Sequence, residues 1–147
     1  MKLIKFSLEF YEDVVDMFYN FTREIFGDKR RIGSKYFFYK EVNRWIEESR
    51  DIIISVSDDG KITGYSMSYI DRNQNLTETI YNGEMAYVKP EYRKTRAAFM
   101  LYKNVVEYAK ELNLNLIANG RVENNVDSMI EKHFDCTKTF ISYERSK

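Results

Sequence analysis

The chain of 147 residues has one cysteine, one proline and one histidine, and its 23 basic residues are cancelled by 23 acidic ones. A lone cysteine, Cys136, excludes an intrachain disulfide and any cysteine-cluster metal site, and fits a reducing compartment. It has no local base to make it a nucleophile. His133 has no second histidine to join it, so a zinc site of the usual histidine and cysteine ligands lacks support; its place near a helix end suits a structural or solvent-facing role. A neutral balance gives no general attraction to nucleic acid or an anionic membrane, so any anion site must be local. No apolar run approaches the roughly 20 residues that cross a bilayer, and MKLIKFSLEFYED does not read as an export signal, so a cytoplasmic protein is expected.

Aromatic residues are abundant instead, with 12 tyrosines and 10 phenylalanines. Most are expected to pack a core, and their number also permits an aromatic-lined pocket. The length suits one domain over residues 1–147 with one principal site.

Apolar spacing gives the order of elements. KLIKFS alternates as a short strand, and a helical repeat follows from Glu9 or Tyr11 through Val14, Phe18, Phe21 and Ile25. The basic GDKRRIG reads as a loop. SKYFFYKEVNRWIEES reads as a helix capped by Ser34, with Phe37, Phe38, Val42, Trp45 and Ile46 on its apolar stripe. DIIISVSDDGKITGYSMSYI then reads as a hairpin turning at Asp59 and Gly60. After a polar turn, LTETIYNGEMAYV supplies a third strand, broken or bulged near Asn82 and Gly83. A long helix over TRAAFMLYKNVVEYAKELN leads to the strand LNLIANG, and a right-handed crossover places residues 84–88 beside 114–118 in parallel. A shorter helix over RVENNVDSMIEKHF and a terminal strand near Thr137 to Tyr143 complete an α+β fold with a mixed sheet.

The junction VKPEYRKTRAA carries the chemistry. Pro90 stops the strand. A helix beginning near Arg93 exposes unpaired N–H groups around Lys94 to Ala98, which suit a phosphate. Small Ala97 and Ala98 permit close approach, and Arg93, Lys94 and Arg96 add charge-assisted donors. The same basic side chains also serve as a solvated helix start, at some cost against the helix dipole. A nucleic-acid module using GDKRRIG and YRKTR is a lesser alternative.

YVKPEYRKTRAAFMLY resembles the acyl-coenzyme-A motif of the GCN5-related N-acetyltransferase family: arginine or glutamine, two variable residues, glycine, one variable residue, then glycine or alanine. Arg93 falls on the first position and Ala98 on the last, while Arg96 stands where the first glycine is usual. The resemblance implies an acyl-coenzyme-A N-acyltransferase-like fold: a mixed, mostly antiparallel sheet with a central splayed parallel pair, flanked by helices. It also implies acetyl-coenzyme A as acyl donor and an amine-bearing small molecule or protein as acceptor. Ala86, Tyr87 and Val88 would then meet the pantetheine arm, and Arg93, Lys94, Thr95, Arg96, Ala97 and Ala98 the pyrophosphate. Asn124 or Asn125 would fill the family's asparagine position beside the pantetheine.

Acyl transfer needs a route for the amine proton and stabilisation of the oxyanion. Glu84, just before the motif, is the base candidate, acting through water. N–H groups near Tyr87 and Val88 are the oxyanion donors, and Tyr81 and Tyr87 can line the pocket. Strict alternation sets Tyr87 opposite Glu84 unless a bulge changes the parity. The family's acid, a tyrosine in the following helix, has no counterpart in SMIEKHF, where Met129 stands near its place. That gap makes a catalytically degenerate binding or interaction protein the alternative. A short aromatic terminus suggests a homodimer that covers the sheet edge.

Overall fold

The computed structural model describes residues 1–27, 32–72, 77–119, 126–134 and 136–137. Strand β1 (Lys2–Lys5) leads through a 3-10 turn at Leu8–Phe10 into α1 (Tyr11–Phe26) and α2 (Lys35–Glu47). The strands β2 (Asp51–Val56), β3 (Ile62–Asp71) and β4 (Ile80–Val88) follow, then a 3-10 turn at Pro90–Tyr92, α3 (Ala97–Glu111), β5 (Asn115–Ala118) and α4 (Val126–Phe134). The strands lie side by side in chain order, antiparallel except for the β4–β5 pair. This is the α+β order read from the sequence. Residues 28–31 of GDKRRIG, the first residues of RVENNVDSMIEKHF and the expected terminal strand from residue 138 lie outside the described residues.

Helices α1 and α2 cover one face of the sheet. Trp45, Val14, Val15 and Val42, each no more than 1% exposed, pack there on Ile54, Tyr65 and Met67. Phe18 joins the two helices, its ring 4.8 Å from Trp45 and 4.9 Å from Phe38. Each such buried side chain contributes about 1.5–3 kcal/mol relative to exposure, so the aromatic count is spent largely on this layer. Helix α3 covers the other face, setting Ala97 and Leu101 on Val88 and Ile53, and Val105 and Ala109 on Tyr81.

Two boundaries and one helix cap differ from the sequence reading. Helix α3 starts at Ala97 rather than Arg93, because Pro90 opens a 3-10 turn that carries the chain to Tyr92 before α-helical bonding begins. Ser34 occupies the N-cap position of α2 without a side-chain cap bond; its carbonyl accepts the Phe37 N–H at 3.1 Å instead. The parallel pairing runs from Ile80↔Asn115 to Gly83↔Ala118, so residues 84–88 have no β5 partner. The hairpin turn is as expected, with Gly60 at φ +82, a conformation that favours glycine.

Candidate active site

The pairing of β4 with β5 ends at Gly83 and Ala118, leaving the rest of β4 open on that side. Tyr69 pairs with Asn82 and Met67 with Met85, so Gly83 and Glu84 together oppose Ser68 as a β-bulge, where the sequence reading set one. Asn119 closes the apex of the opening: its N–H donates to Gly83 O at 3.3 Å and its Nδ2 to Glu84 O at 3.1 Å. Gly83 fits because a Cβ there would come within 3.0 Å of Val105. Beyond the apex β4 runs on to Val88 with its β5 side uncovered by that strand.

The direction of the β4 amides follows from the register. Lys89 N–H donates across to Thr63 O at 2.8 Å. Strand alternation therefore turns the amides of Val88 and Ala86 the other way, into the opening, and that of Tyr87 toward β3. Of the two oxyanion donors expected near Tyr87 and Val88, only Val88 N–H faces the gap. Ala86, paired with Ser66 across β3, carries a small side chain on the α3 face.

The start of α3 closes the other end. Thr95 Oγ1 donates to Tyr92 O at 2.5 Å and accepts the Ala97 N–H at 3.3 Å, which rounds the chain into the helix. Met100 N–H reaches Arg96 O at 2.9 Å, whereas the amides of Ala98 and Phe99 donate to no acceptor among the described residues. Free first-turn amides are suited to an anion. Ala97 is fully buried and Ala98 partly so; Lys94 and Arg96 are exposed and form no ion pair among the described residues. Arg96 has φ −78, so its backbone conformation does not require the glycine usual at that motif position.

Arg93 is anchored rather than free. Its Nε donates to Val88 O at 3.0 Å and its Nη2 to both carboxylate oxygens of Glu24 in α1 at 2.6 Å, while the guanidinium carbon lies 5.6 Å from the centre of the Tyr87 ring. Tyr87 itself is 5% exposed and packs edge-on to Phe21, with its hydroxyl 3.4 Å from Glu24 Oε1. Burial, and then the Glu24 charge, hold that hydroxyl above its ordinary titration range. Tyr87 is thus a core ring bearing on Arg93, with its hydroxyl turned to α1.

Glu84 sits at the bulge, and the extra residue brings it to the α1–α2 side together with Met85 and Tyr87. The parity change is visible in its partner: Glu84 Oε2 accepts from Arg50 Nη1 at 3.0 Å, and Arg50 lies 4.1 Å above the ring of Tyr69 on that same face. Arg50 also meets Glu48 at 2.8 Å and Met67 Sδ at 3.7 Å, with only 10% of its side chain exposed. Its position comes from the end of α2. Ser49 takes a left-handed φ of 54 and Arg50 N–H bonds back to Trp45 O at 3.0 Å, which turns the chain sharply into β2. Asn82 completes the group, its Nδ2 donating to Tyr69 Oη at 3.2 Å.

Four residues of this region escape a sequence reading: Glu24, Arg50, Tyr69 and Asn119. They come from α1, the α2–β2 turn, β3 and the end of β5, and no local pattern joins them; Asn82 is legible only as a place for the bulge. Asn124 and Asn125 lie outside the described residues. His133 stacks edge-on against Phe99, ring centres 5.5 Å apart, where α4 meets α3. The Cys136 thiol contacts Phe134 O at 3.5 Å. Among the described residues no group of three or more histidine, cysteine, aspartate or glutamate side chains is placed to hold a metal, and no helix is long and apolar enough to cross a membrane.

Comparison with known proteins accords with this geometry. The family model described as "Acetyltransferase (GNAT) family" matches residues 11–130. No curated protein sequence matches the chain. Among solved structures, a "probable acetyltransferase" is similar at 16% identity and TM-score 0.77, over 100% of this chain and 98% of its own. The aminoglycoside antibiotic 6'-N-acetyltransferase AAC(6')-IG from Acinetobacter haemolyticus has 17% identity and TM-score 0.69, with 100% and 98% covered. A ribosomal-protein-alanine N-acetyltransferase from Brucella melitensis biovar Abortus 2308 has 14% identity and TM-score 0.70, with 100% of both chains covered. At such identities the structures speak for the fold, and the family model for the sequence. With its forked parallel pair and the motif turn that follows, the chain belongs to the GNAT family of acetyltransferases.

Proposed function

We propose that the protein, as one domain, transfers an acetyl group from acetyl-coenzyme A to a primary amine. The observation that carries this reading is the β4–β5 fork, with the amides of Ala86 and Val88 facing into it and the unpaired amides of Ala98 and Phe99 at its far end. Pantetheine fits the first set as an added strand does, and pyrophosphate fits the second. Lys94 and Arg96 add positive charge beside the phosphates, while the free Nη1 side of Arg93 remains for one of them. Coenzyme A, when bound, supplies the activated thioester. Val88 N–H then takes the developing oxyanion, and Glu84 accepts the amine proton through water.

Glu84 and Glu48 on this face are paired with Arg50, so its charge sets no preference among amines. Small polyamines, aminoglycosides and protein N-termini all present an amine. Calorimetry with coenzyme A, followed by thiol release from acetyl-coenzyme A with spermidine, kanamycin and an alanine-initiated peptide, tests the reading. Absence of coenzyme A binding at millimolar ligand overturns it.

A second reading keeps the binding and drops the chemistry. Arg96 in the glycine position and Met129 in place of the acid tyrosine favour a binding or interaction protein, which would bind coenzyme A with no turnover on any amine. We place either form in the cytoplasm, in keeping with its single cysteine, and propose a homodimer through its sheet edge. A monomeric mass by light scattering at micromolar concentration overturns the dimer.

A further inference from the structure

The guanidinium of Arg50 has more donors than the partners that hold it use. Nε donates to Glu48 Oε2 at 2.8 Å, and Nη1 to Glu84 Oε2 at 3.0 Å and Met67 Sδ at 3.7 Å. These contacts take the Nε proton and both Nη1 protons, and leave the Nη2 pair with no acceptor among the described residues. The side chain is otherwise enclosed, 10% exposed, with the Tyr69 ring 4.1 Å from its central carbon. Nη2 is nevertheless not sealed from solvent, whereas Asn82 Oδ1 on the same face is. A guanidinium fixed this firmly has little rotamer freedom left to lose when a ligand arrives.

The polar neighbours are committed. Glu48 meets Arg44 at 3.2 Å as well as Arg50. Tyr69 and Asn82 are bonded to each other, and Asn119 holds Glu84 O at the apex of the fork. Glu84 gives Oε2 to Arg50 and keeps Oε1 without a partner among the described residues. The face thus offers a carboxylate oxygen and, beside it, a pair of guanidinium donors.

We propose, resting on the acetyltransferase reading, that Arg50 Nη2 binds a carbonyl oxygen adjacent to the acceptor amine, so that the acceptors are α-aminoacyl compounds: peptide N-termini and amino acid amides. The amine lies at the Glu84 end, where water carries off its proton, and the carbonyl lies at the Arg50 end. An N–Cα–C=O unit suits this pair of anchors because only two carbons separate its nitrogen from its oxygen, and one guanidinium spans the distance from Glu84 to Nη2. Spermidine and kanamycin have no carbonyl beside an amine. The Arg50 charge is already met by Glu48 and Glu84, so its open donors call for a neutral hydrogen-bond acceptor, and a peptide carbonyl fits them better than a free carboxylate.

Alaninamide and the fastest carbonyl-free amine of isopropylamine, spermidine and kanamycin separate recognition from support. Arg50→Met keeps an apolar stem on Tyr69 and removes the donors. Relative to wild type, its kcat/KM with acetyl-coenzyme A should fall about 10-fold further on alaninamide than on the carbonyl-free amine. Any disturbance of Glu84 acts on both amines and cancels in that ratio. The dissociation constant for coenzyme A should stay unchanged. Arg50→Lys keeps a cation between Glu48 and Glu84 and carries the same comparison if Arg50→Met does not fold. Equal losses on the two amines overturn this assignment alone, as does a greater loss on alanine, with its free carboxylate, than on alaninamide. A wild type that acetylates spermidine or kanamycin but not alaninamide overturns it too. A wild type with no turnover on any amine overturns the acetyl-transfer reading and this assignment with it.

Discussion

Glu24 in α1 and Arg93 before α3, separated by 69 positions in the chain, meet through both carboxylate oxygens at 2.6 Å from a single guanidinium nitrogen. The same guanidinium holds Val88 O, so one side chain ties the first helix to the end of β4 just ahead of the motif turn. Arg93 has two tasks on this reading, support of the turn and attraction of a phosphate, and substitutions at the two ends of the pair separate them.

Arg93→Ala removes both tasks. It should lower unfolding stability in urea by about 1–2 kcal/mol, the range for charge-assisted bonds with partial solvent screening. Coenzyme A binding should weaken by about 1–3 kcal/mol. Glu24→Gln should lower stability but leave coenzyme A affinity unchanged or tighter, since it releases the guanidinium. Equal loss of affinity in both variants would show that Arg93 acts on the ligand only through the turn.

Arg96 tests the departure from the motif. Because its backbone, at φ −78 and ψ 1, has no positive φ that would call for glycine and its side chain is exposed, Arg96→Gly should not improve coenzyme A binding. The loss of one cation should weaken it by about 0.5–1 kcal/mol and flatten its salt dependence, as calorimetry at two ionic strengths would read. Tighter binding in the glycine variant would mean that the arginine obstructs the turn.

Glu84→Gln keeps an acceptor for Arg50 and removes the base. On the proposed reaction kcat should fall by about 100-fold or more with little change in coenzyme A affinity. A variant with full activity would transfer the proton to bulk water and leave Glu84 as a partner of Arg50.

Gly64 supports the fork from the neighbouring strand. A Cβ there would lie 2.4 Å from Tyr87 O and 3.1 Å from Val88 Cα, both backbone atoms that cannot swing aside. Gly64→Ala should cost about 1–3 kcal/mol in chemical denaturation and weaken coenzyme A binding as the end of β4 is displaced. Unchanged stability would require β3 to move instead.

Elements with a strong local period were legible before any coordinates. Val14, Phe18, Phe21 and Ile25 announce α1, and Ala98, Leu101, Val105 and Ala109 announce α3, because a helix buries one stripe and that stripe repeats along the chain. The bulge was legible too, since Asn82 and Gly83 interrupt an otherwise apolar strand. The parallel register was not. Pattern alone set residues 84–88 against 114–118, whereas Gly83, Asn119 and the bulge stop the pairing at 83 and 118.

The sequence by itself determined the order of elements, the anion-friendly turn at VKPEYRKTRAA and the likeness to the acetyltransferase motif, all of which depend on neighbours within a few residues. Tertiary structure decided which charges are spoken for. That Arg93 answers to Glu24 and that Glu84 answers to Arg50 depend on side chains brought together from distant segments. Coulombic and hydrogen-bond energies fall off with distance in space, whatever the separation along the chain.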